Sequence, residues 1–494
     1  MKRGSVAEAD LLTARREKLA RLRAQGIDPY PYRYPRTHTV GEVRDAFGNL
    51  APNERSGAQV RLAGRLTAFR RMGRASFADL LDRSGKIQLY ASTNGLVAGA
   101  YERFAGDLDL GDIIGVEGEP FATKTGELTV EVRAFTLLAK SLRPLPEKWH
   151  GLRDIETRYR QRALDFIANE DARRIIAGRA QILRACRSYL DAHGFIEVET
   201  PLLQPLPGGA TARPFVTHHN VLDRDLYLRV APELYLKRLL VGGLEKVYEI
   251  GRNFRNEGIS SMHNPEFTSL EAYEAYADYE QAMDLAEELV VACAVAVAGT
   301  TRISHGGREL DLTPPWRRAS LLELVADGSG CDVEKPLPDL VAEIERNGIP
   351  LPPPLRRGPK GKVIEHLLET CVQDKLWEPT FVLDFPLDIS PLAKRKRGRD
   401  DLVERFELYI TGREVANAFS ELNDPDEQRE RFAAQEALRA GGDEEAQPID
   451  EEFLRDLELG MPPAAGIGFG FDRLVMVLLD APSIREVLAF PPLR

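Results

Sequence analysis

From Val60 to about Leu138 apolar and polar residues alternate in five short runs: VRLAGRLTAF, ASFADLLD, KIQLYAS, DIIGVEGEPFAT and ELTVEVRAFTLL. Period-two alternation predicts half-buried strands. Turn residues at Arg83-Ser84-Gly85-Lys86 and Lys124-Thr125-Gly126-Glu127 separate them. Five such strands in about 80 residues predict a small closed barrel, of the OB type or an SH3-like alternative. Before it, Ala7 to Gln25 has helical spacing and stops at Gly26 and Pro29. After it, helical spacing runs from Asp171 to His193 with Gly194 as the stop, then a strand from Phe195 to Val198 that ends at Pro201. The apolar run Leu289 to Gly299, in phase with Glu280 to Glu288, predicts a buried helix too short to span a bilayer. Strands and helices mix from there to Arg494 without βαβ alternation. The pattern predicts a helical insertion over about 320–375, broken by the prolines of Leu351 to Leu355.

Three polar-rich segments break these patterns in a way that suggests chemistry. In GRNFRNEGISSMHNPEFTSLEAY, Gly251 to Tyr273, two strand-like runs flank a polar loop. Arg255 and Glu257 share one parity, and Phe267, Glu271 and Tyr273 share another, so one sheet face presents an arginine, carboxylates and aromatic rings. In GIGFGF, Gly466 to Phe471, the glycines fall on one parity and the apolar residues on the other. One strand face then enters a core while the other is bare backbone on which a flat ring can lie. In RFELYITGREVANAFSELND, Arg405 to Asp424, two strands meet at Thr411-Gly412. Asn417, Phe419 and Glu421 share a parity that Glu414 breaks, which calls for a bulge or a second face.

Length and composition set the frame. A chain of 494 residues, 43% hydrophobic and 29% charged, has room for two or three domains and a large core. No signal-peptide core suggests export, and Cys186, Cys293, Cys331 and Cys371 lack a C-x-x-C pair, which favours a reducing cytoplasm over disulfides or structural zinc. The net charge of −11 argues weakly against nucleic acid, but Arg15, Arg16, Lys18, Arg21, Arg23, Arg70, Arg71 and Arg74 cluster in and beside the barrel. No Walker A or G-x-G-x-x-G loop precedes a helix, so ATP chemistry needs another architecture.

FRNEG followed by HNPEF resembles motif 2 of class II aminoacyl-tRNA synthetases, specifically the bacterial-type lysyl enzymes and their aspartyl and asparaginyl relatives. FIEVETPLL, Phe195 to Leu203, is similar to motif 1, and GIGFGFDRL, Gly466 to Leu474, to motif 3. The likeness extends over nearly the whole chain. It implies an α+β fold, in which an all-β OB-fold anticodon-binding barrel precedes an antiparallel-sheet catalytic domain. The boundaries expected are a helical extension over 1–55, the barrel over 56–142, a linker over 143–164 and the catalytic domain over 165–494. Motif 1 implies a homodimer interface; burial within the same chain is the alternative.

The resemblance also implies roles. Arg255 and Arg473 are the catalytic cations on ATP, Arg473 opening the final helix to meet the γ-phosphate. Glu257, His263, Asn264, Phe267 and Gly468 hold the nucleotide, and Glu407 and Glu414 hold Mg2+. The lysine pocket is Gly209, Glu233, Glu271, Tyr273, Asn417, Phe419 and Glu421, with Glu421 and Tyr273 on the ε-amino group and Glu233 and the Gly209 backbone on the α-amino group. Arg70, Phe77, Gln88 and Glu127 match anticodon contacts. A buried ammonium needs carboxylates, so this acidic pocket implies lysine, although ornithine and arginine are harder to exclude. An amino-acid carboxylate is already ionised, so adenylation needs no general base. The expected activity is ATP-dependent activation of L-lysine and its transfer to tRNA(Lys) by a cytoplasmic enzyme without membrane spans. The rivals are a paralogue that passes lysine to a protein, lipid or small molecule, and a non-catalytic RNA-binding regulator. Where the family writes glycines, Ala416 and Ala418 stand here; each methyl is expected to narrow the pocket or shift a strand. Met262 replaces a commonly basic residue, and Asp79 adds negative charge to the anticodon face. Together these substitutions suggest a divergent copy.

Overall fold

The computed structural model describes residues 2–145, 152, 154–443 and 445–493. Residues 146–151 and 153 of the expected linker lie outside the described residues. Two compact units form, residues 1–153 and 154–494.

In the first unit, strands Val60–Met72, Ala75–Asp82, Gly85–Ser92, Ile113–Ala122 and Leu128–Ala139 close a five-stranded barrel. Alternate positions such as Leu62, Leu80, Leu89, Val116 and Val130 fill its interior, joined by Phe104 from the helix Ala100–Asp107. The helix Lys2–Ala24 ends at Gly26, whose φ of +75° suits a residue without Cβ. Two members of the basic cluster belong to this packing. The Arg15 guanidinium is buried and donates to the carbonyls of Ser141 and Arg143, and Lys18 pairs with Asp109 at 2.7 Å. Arg16, Arg21 and Arg23 remain exposed.

The second unit is built on a nine-stranded, mostly antiparallel sheet. Its main path runs Arg317–Ser320, Thr380–Pro386, Arg399–Ile410, Arg413–Ser420, Ala464–Gly470, Glu266–Ala275, Lys246–Phe254 and Ile196–Glu197. Strand alternation divides the residues between two faces. Leu270, Ala272, Phe406, Leu408, Ala416, Ala418, Ile467 and Phe469 point into a core. The helices Glu170–Ala192, Tyr279–Ala298 and Phe471–Leu478 cover that face. The opposite parity lines a cavity.

Four expectations change at this level. The strand expected over Phe195 to Val198 shrinks to Ile196–Glu197, an edge pair parallel to Val247 and Tyr248. The motif 2 strand ends at Phe254, so Arg255 and Glu257 sit in the loop rather than on the sheet. The helix Tyr279–Ala298 buries Leu289, Val290, Cys293 and Ala294 but leaves Val295 exposed, because it packs on one side only. Arg473 is not on the final helix, since Ile484–Val487 follows. The segment expected as an insertion carries the helices Leu321–Ser329, Leu337–Arg346 and Lys360–Leu367 around its own small core.

Candidate active site and barrel face

Strands of the sheet, the loops beside them and the helices Lys360–Leu367 and Pro425–Ala440 line a cavity of about 480 Å³. Its floor is Ala464–Gly470, flanked by Glu266–Ala275 on one side and Arg413–Ser420 on the other. A Cβ on Gly466 would lie 2.0 Å from Glu421 Oε1 and 2.4 Å from the Tyr273 ring, so only glycine fits between them. A Cβ on Gly468 would meet only ordinary contact with Glu271 at 3.6 Å, leaving that stretch of backbone bare toward the cavity.

At the nucleotide-like end, the loop after Phe254 folds back on itself. Arg255 N donates to Pro265 O, and Ser260 Oγ accepts from the backbone N–H groups of Met262 and His263. The Arg255 guanidinium lies 5.1 Å above the Phe267 ring, and its Nε is buried without a hydrogen-bond partner. Burial pushes its pKa down, so this cation gains most from an anion. Arg473 donates to the Glu414 carboxylate at 2.8 Å and faces His263 Nε2 at 3.1 Å. That ring nitrogen must therefore accept, and the Nδ1 proton points to Ser260 Oγ at 3.0 Å. Burial and the Arg473 charge hold His263 below its ordinary pKa, in keeping with a neutral ring. Asp472 locks this corner, accepting from Thr268 N and pairing with Arg179 of the long helix at 2.5 Å.

A bulge brings Glu414 in. Leu408 faces Ala416 while Tyr409 faces Glu414, so Val415 is the extra residue, and Glu414 turns onto the cavity side with Asn417. Glu407 accepts from Arg405 at 2.6 Å and Tyr409 at 2.8 Å. Burial, then the charges of Glu414 and Glu365, push its pKa up to about 8. Carboxylates crowded so that they repel one another suit a hard divalent cation. Among the described residues no group of three or more His, Cys, Asp or Glu converges on a metal position. Two carboxylates fit Mg2+, which takes most of its shell from phosphate and water.

At the other end the walls are acidic. Glu233, Glu271, Tyr273, Asn417, Phe419 and Gly209 all line the cavity. Tyr273 Oη donates to Glu271 at 3.2 Å, and burial followed by the Glu233 charge pushes Glu271 up to about 8. Gly209, with φ +86°, runs its backbone beside Glu233, where a Cβ would approach to 3.0 Å. Glu421 is the exception. It is 1% exposed and is not among the lining residues, its Oε1 lying over Gly466 beside Tyr273 on the cavity side of the strand and its other oxygen 2.5 Å from Lys237 Nζ. The reason is an inward ion pair the sequence did not announce. Ala416 and Ala418 also correct an expectation, because their methyls enter the core face and cannot narrow the cavity.

Sequence reasoning missed Lys237, Arg405, Glu365 and Gln447, which accepts from Gly209 N at 3.2 Å. Parity with Glu407 would have found Arg405, and the i, i+4 spacing from Glu233 would have found Lys237. Glu365 and Gln447 come from distant segments with no local signal.

On the barrel, Arg70 faces Phe77, Phe77 faces Tyr90, and Gln88 faces both Asp79 and Thr129. Gln88 accepts from Thr129 at 3.1 Å, and Glu127 is exposed at the turn two residues earlier. Tyr90 and Phe121 extend the aromatic row, with centroids 5.1 Å from Phe77 to Tyr90 and 6.2 Å from Tyr90 to Phe121. Asp79 does not add a free negative charge to this face, because Lys86 pairs with it at 3.2 Å.

Residues 154–494 match the family described as tRNA synthetases class II (D, K and N), and residues 60–138 match an OB-fold nucleic acid binding domain. The chain belongs to this class of synthetases. It is 56% identical over 493 residues to the lysine–tRNA ligase of Moorella thermoacetica, covering 99% of this chain and 98% of the relative. Identity is 53% to that of Pelotomaculum thermopropionicum (98% and 95% covered) and 52% to that of Carboxydothermus hydrogenoformans (98% of each). Within the class, the chain is a member of the lysine–tRNA ligase family.

Proposed function

We propose that the cavity activates L-lysine with ATP and then transfers it to tRNA(Lys), with roles divided between its two ends. The observation that carries this assignment is the continuity of the cavity, acid-walled at Glu233 and Glu271 and guanidinium-walled at Arg255 and Arg473. In the first step a carboxylate oxygen of lysine attacks the α-phosphorus of ATP, and the bond to pyrophosphate breaks. Arg255 meets the charge that develops on the phosphoryl oxygens, and Arg473 leaves Glu414 for the γ-phosphate. Phe267 and the bare backbone at Gly468 hold the adenine between ring and strand, while Glu257, His263 and Asn264 hold the rest of the nucleotide. Glu407 and Glu414 would hold Mg2+, which supplies charge neutralisation on the phosphates when bound. In the second step a terminal ribose hydroxyl of tRNA attacks the lysyl carbonyl and AMP departs.

Glu233 and the Gly209 backbone take the α-amino group, and Tyr273 and Glu421 the ε-amino group, with Glu271, Asn417 and Phe419 completing the wall. The barrel match at 60–138 favours tRNA over a protein or lipid acceptor, with Arg70, Phe77, Gln88 and Glu127 on the anticodon. Exposed apolar residues at Ile196, Leu202, Leu203 and Leu206, in and beside motif 1, support a homodimer. Its need for ATP and tRNA makes the cytoplasm the working compartment. Among the described residues no helix is long and apolar enough to cross a membrane.

The test is lysine-dependent exchange of pyrophosphate into ATP, followed by charging of tRNA(Lys). Both are expected. Exchange without charging would move the acceptor elsewhere, and the absence of exchange would overturn the assignment.

A further inference from the structure

Lys237 stands one helical turn after Glu233 on the helix Glu233–Val241, and its side chain is completely buried. Its Nζ is 2.6 Å from Glu233 Oε1, 2.5 Å from Glu421 Oε2 and 5.3 Å above the Phe419 ring. A single internal ammonium thus ties together the two carboxylates assigned to the two amino groups of the substrate. The Glu421 carboxylate accepts no hydrogen bond of good geometry from any described residue. Its charge contact is Lys237, which holds one oxygen and leaves Oε1 directed at Gly466 and Tyr273.

Resting on the lysine assignment above, we propose that Lys237 is a positioning residue for substrate specificity: it fixes the Glu233 and Glu421 carboxylates so that Glu421 presents a single free oxygen to the substrate ammonium. An unpaired carboxylate at full burial would take up a proton or swing toward water. Two acids face this point, Glu233 from its own helix and Glu421 beyond the strand Arg413–Ser420, and Glu271 of the strand Glu266–Ala275 acts on both of them. Arg405 is the other cation that acts on Glu233, and Tyr273 is the neighbouring phenol. Burial works against the Lys237 charge, and the Glu233 and Glu421 carboxylates outweigh it and raise its pKa.

The experiment compares wild type with Lys237→Met, Lys237→Gln and Lys237→Ala, following thermal stabilisation by ATP, pyrophosphate exchange and its pH profile. In Met and Gln variants the lysine KM should rise tenfold or more, with the ATP KM and kcat changed less than threefold. Without the resident cation the acids keep their protons to higher pH, so the acidic limb of kcat/KM for lysine should move upward by a pH unit or more. Propylammonium should restore lysine affinity to Lys237→Ala, and propanol should not. A pure packing defect would lower Tm without moving the limb. An unmoved limb and lysine KM in variants that still bind ATP would overturn the proposal, as would variants that never bind ATP and are not recovered by propylammonium. If wild type itself shows no lysine-dependent exchange, the functional assignment fails instead.

Discussion

At the scale of single residues, the site is built from buried charges whose ionisation is set by their neighbours. Glu271 illustrates the sign of the resulting pH dependence. Its pKa of about 8 lies above the value of an unfolded glutamate, so between those values the folded chain holds a proton that the unfolded chain has lost. Its contribution to stability therefore falls as pH rises toward 8. Binding an ammonium reverses the preference and expels the proton. Isothermal titration of lysine at pH 7 is expected to show proton release, seen as an enthalpy that depends on buffer ionisation heat, with affinity rising from pH 6 to 8. Arg255→Lys keeps the charge but loses the planar fork, and exchange should slow by about two to three orders of magnitude, as when one oxyanion donor is lost. Gly466→Ala sets a methyl 2.0 Å from Glu421 Oε1, so the lysine KM should rise while ATP binding persists; Gly468→Ala should do the reverse.

At the scale of elements, much of the site was legible because strand parity is a strict rule. The residues facing the cavity from Ala464–Gly470 and Glu266–Ala275 alternate as the sequence implies, and the five barrel strands appear where the pattern puts them. Parity failed where the backbone leaves the ladder. Glu414 needed the Val415 bulge, and Arg255 lies past the end of its strand. Glu421 stands on the expected parity just beyond its strand, but the Lys237 pair keeps it buried over Gly466, and no local pattern shows an ion pair between residues so distant in sequence. Ala416 and Ala418 settle another point by geometry. With both methyls in the core, reverting them to glycine should lower Tm through lost packing and backbone freedom, about 1 kcal/mol each, and leave the lysine KM within twofold. A fall in KM on reversion would show that the methyls do reach the substrate.

At the scale of the whole molecule, two units with separate cores divide the labour. Phe77→Ala should cut kcat/KM for tRNA charging by about tenfold to a hundredfold, the worth of one stacked base, while pyrophosphate exchange stays unchanged. A parallel loss in exchange would show that the ring serves the fold instead. Sedimentation of the full chain should give twice the monomer mass, and charged replacements at Leu203 and Leu206 should lower it. The glycine wall also bears on drug resistance. A planar inhibitor seated against Gly466 and Gly468 would touch backbone there rather than a replaceable side chain. A substitution that excluded it at Gly466 would also displace the Glu421 acid and the Tyr273 phenol proposed to receive the substrate ammonium, so escape variants should arise in the surrounding loops.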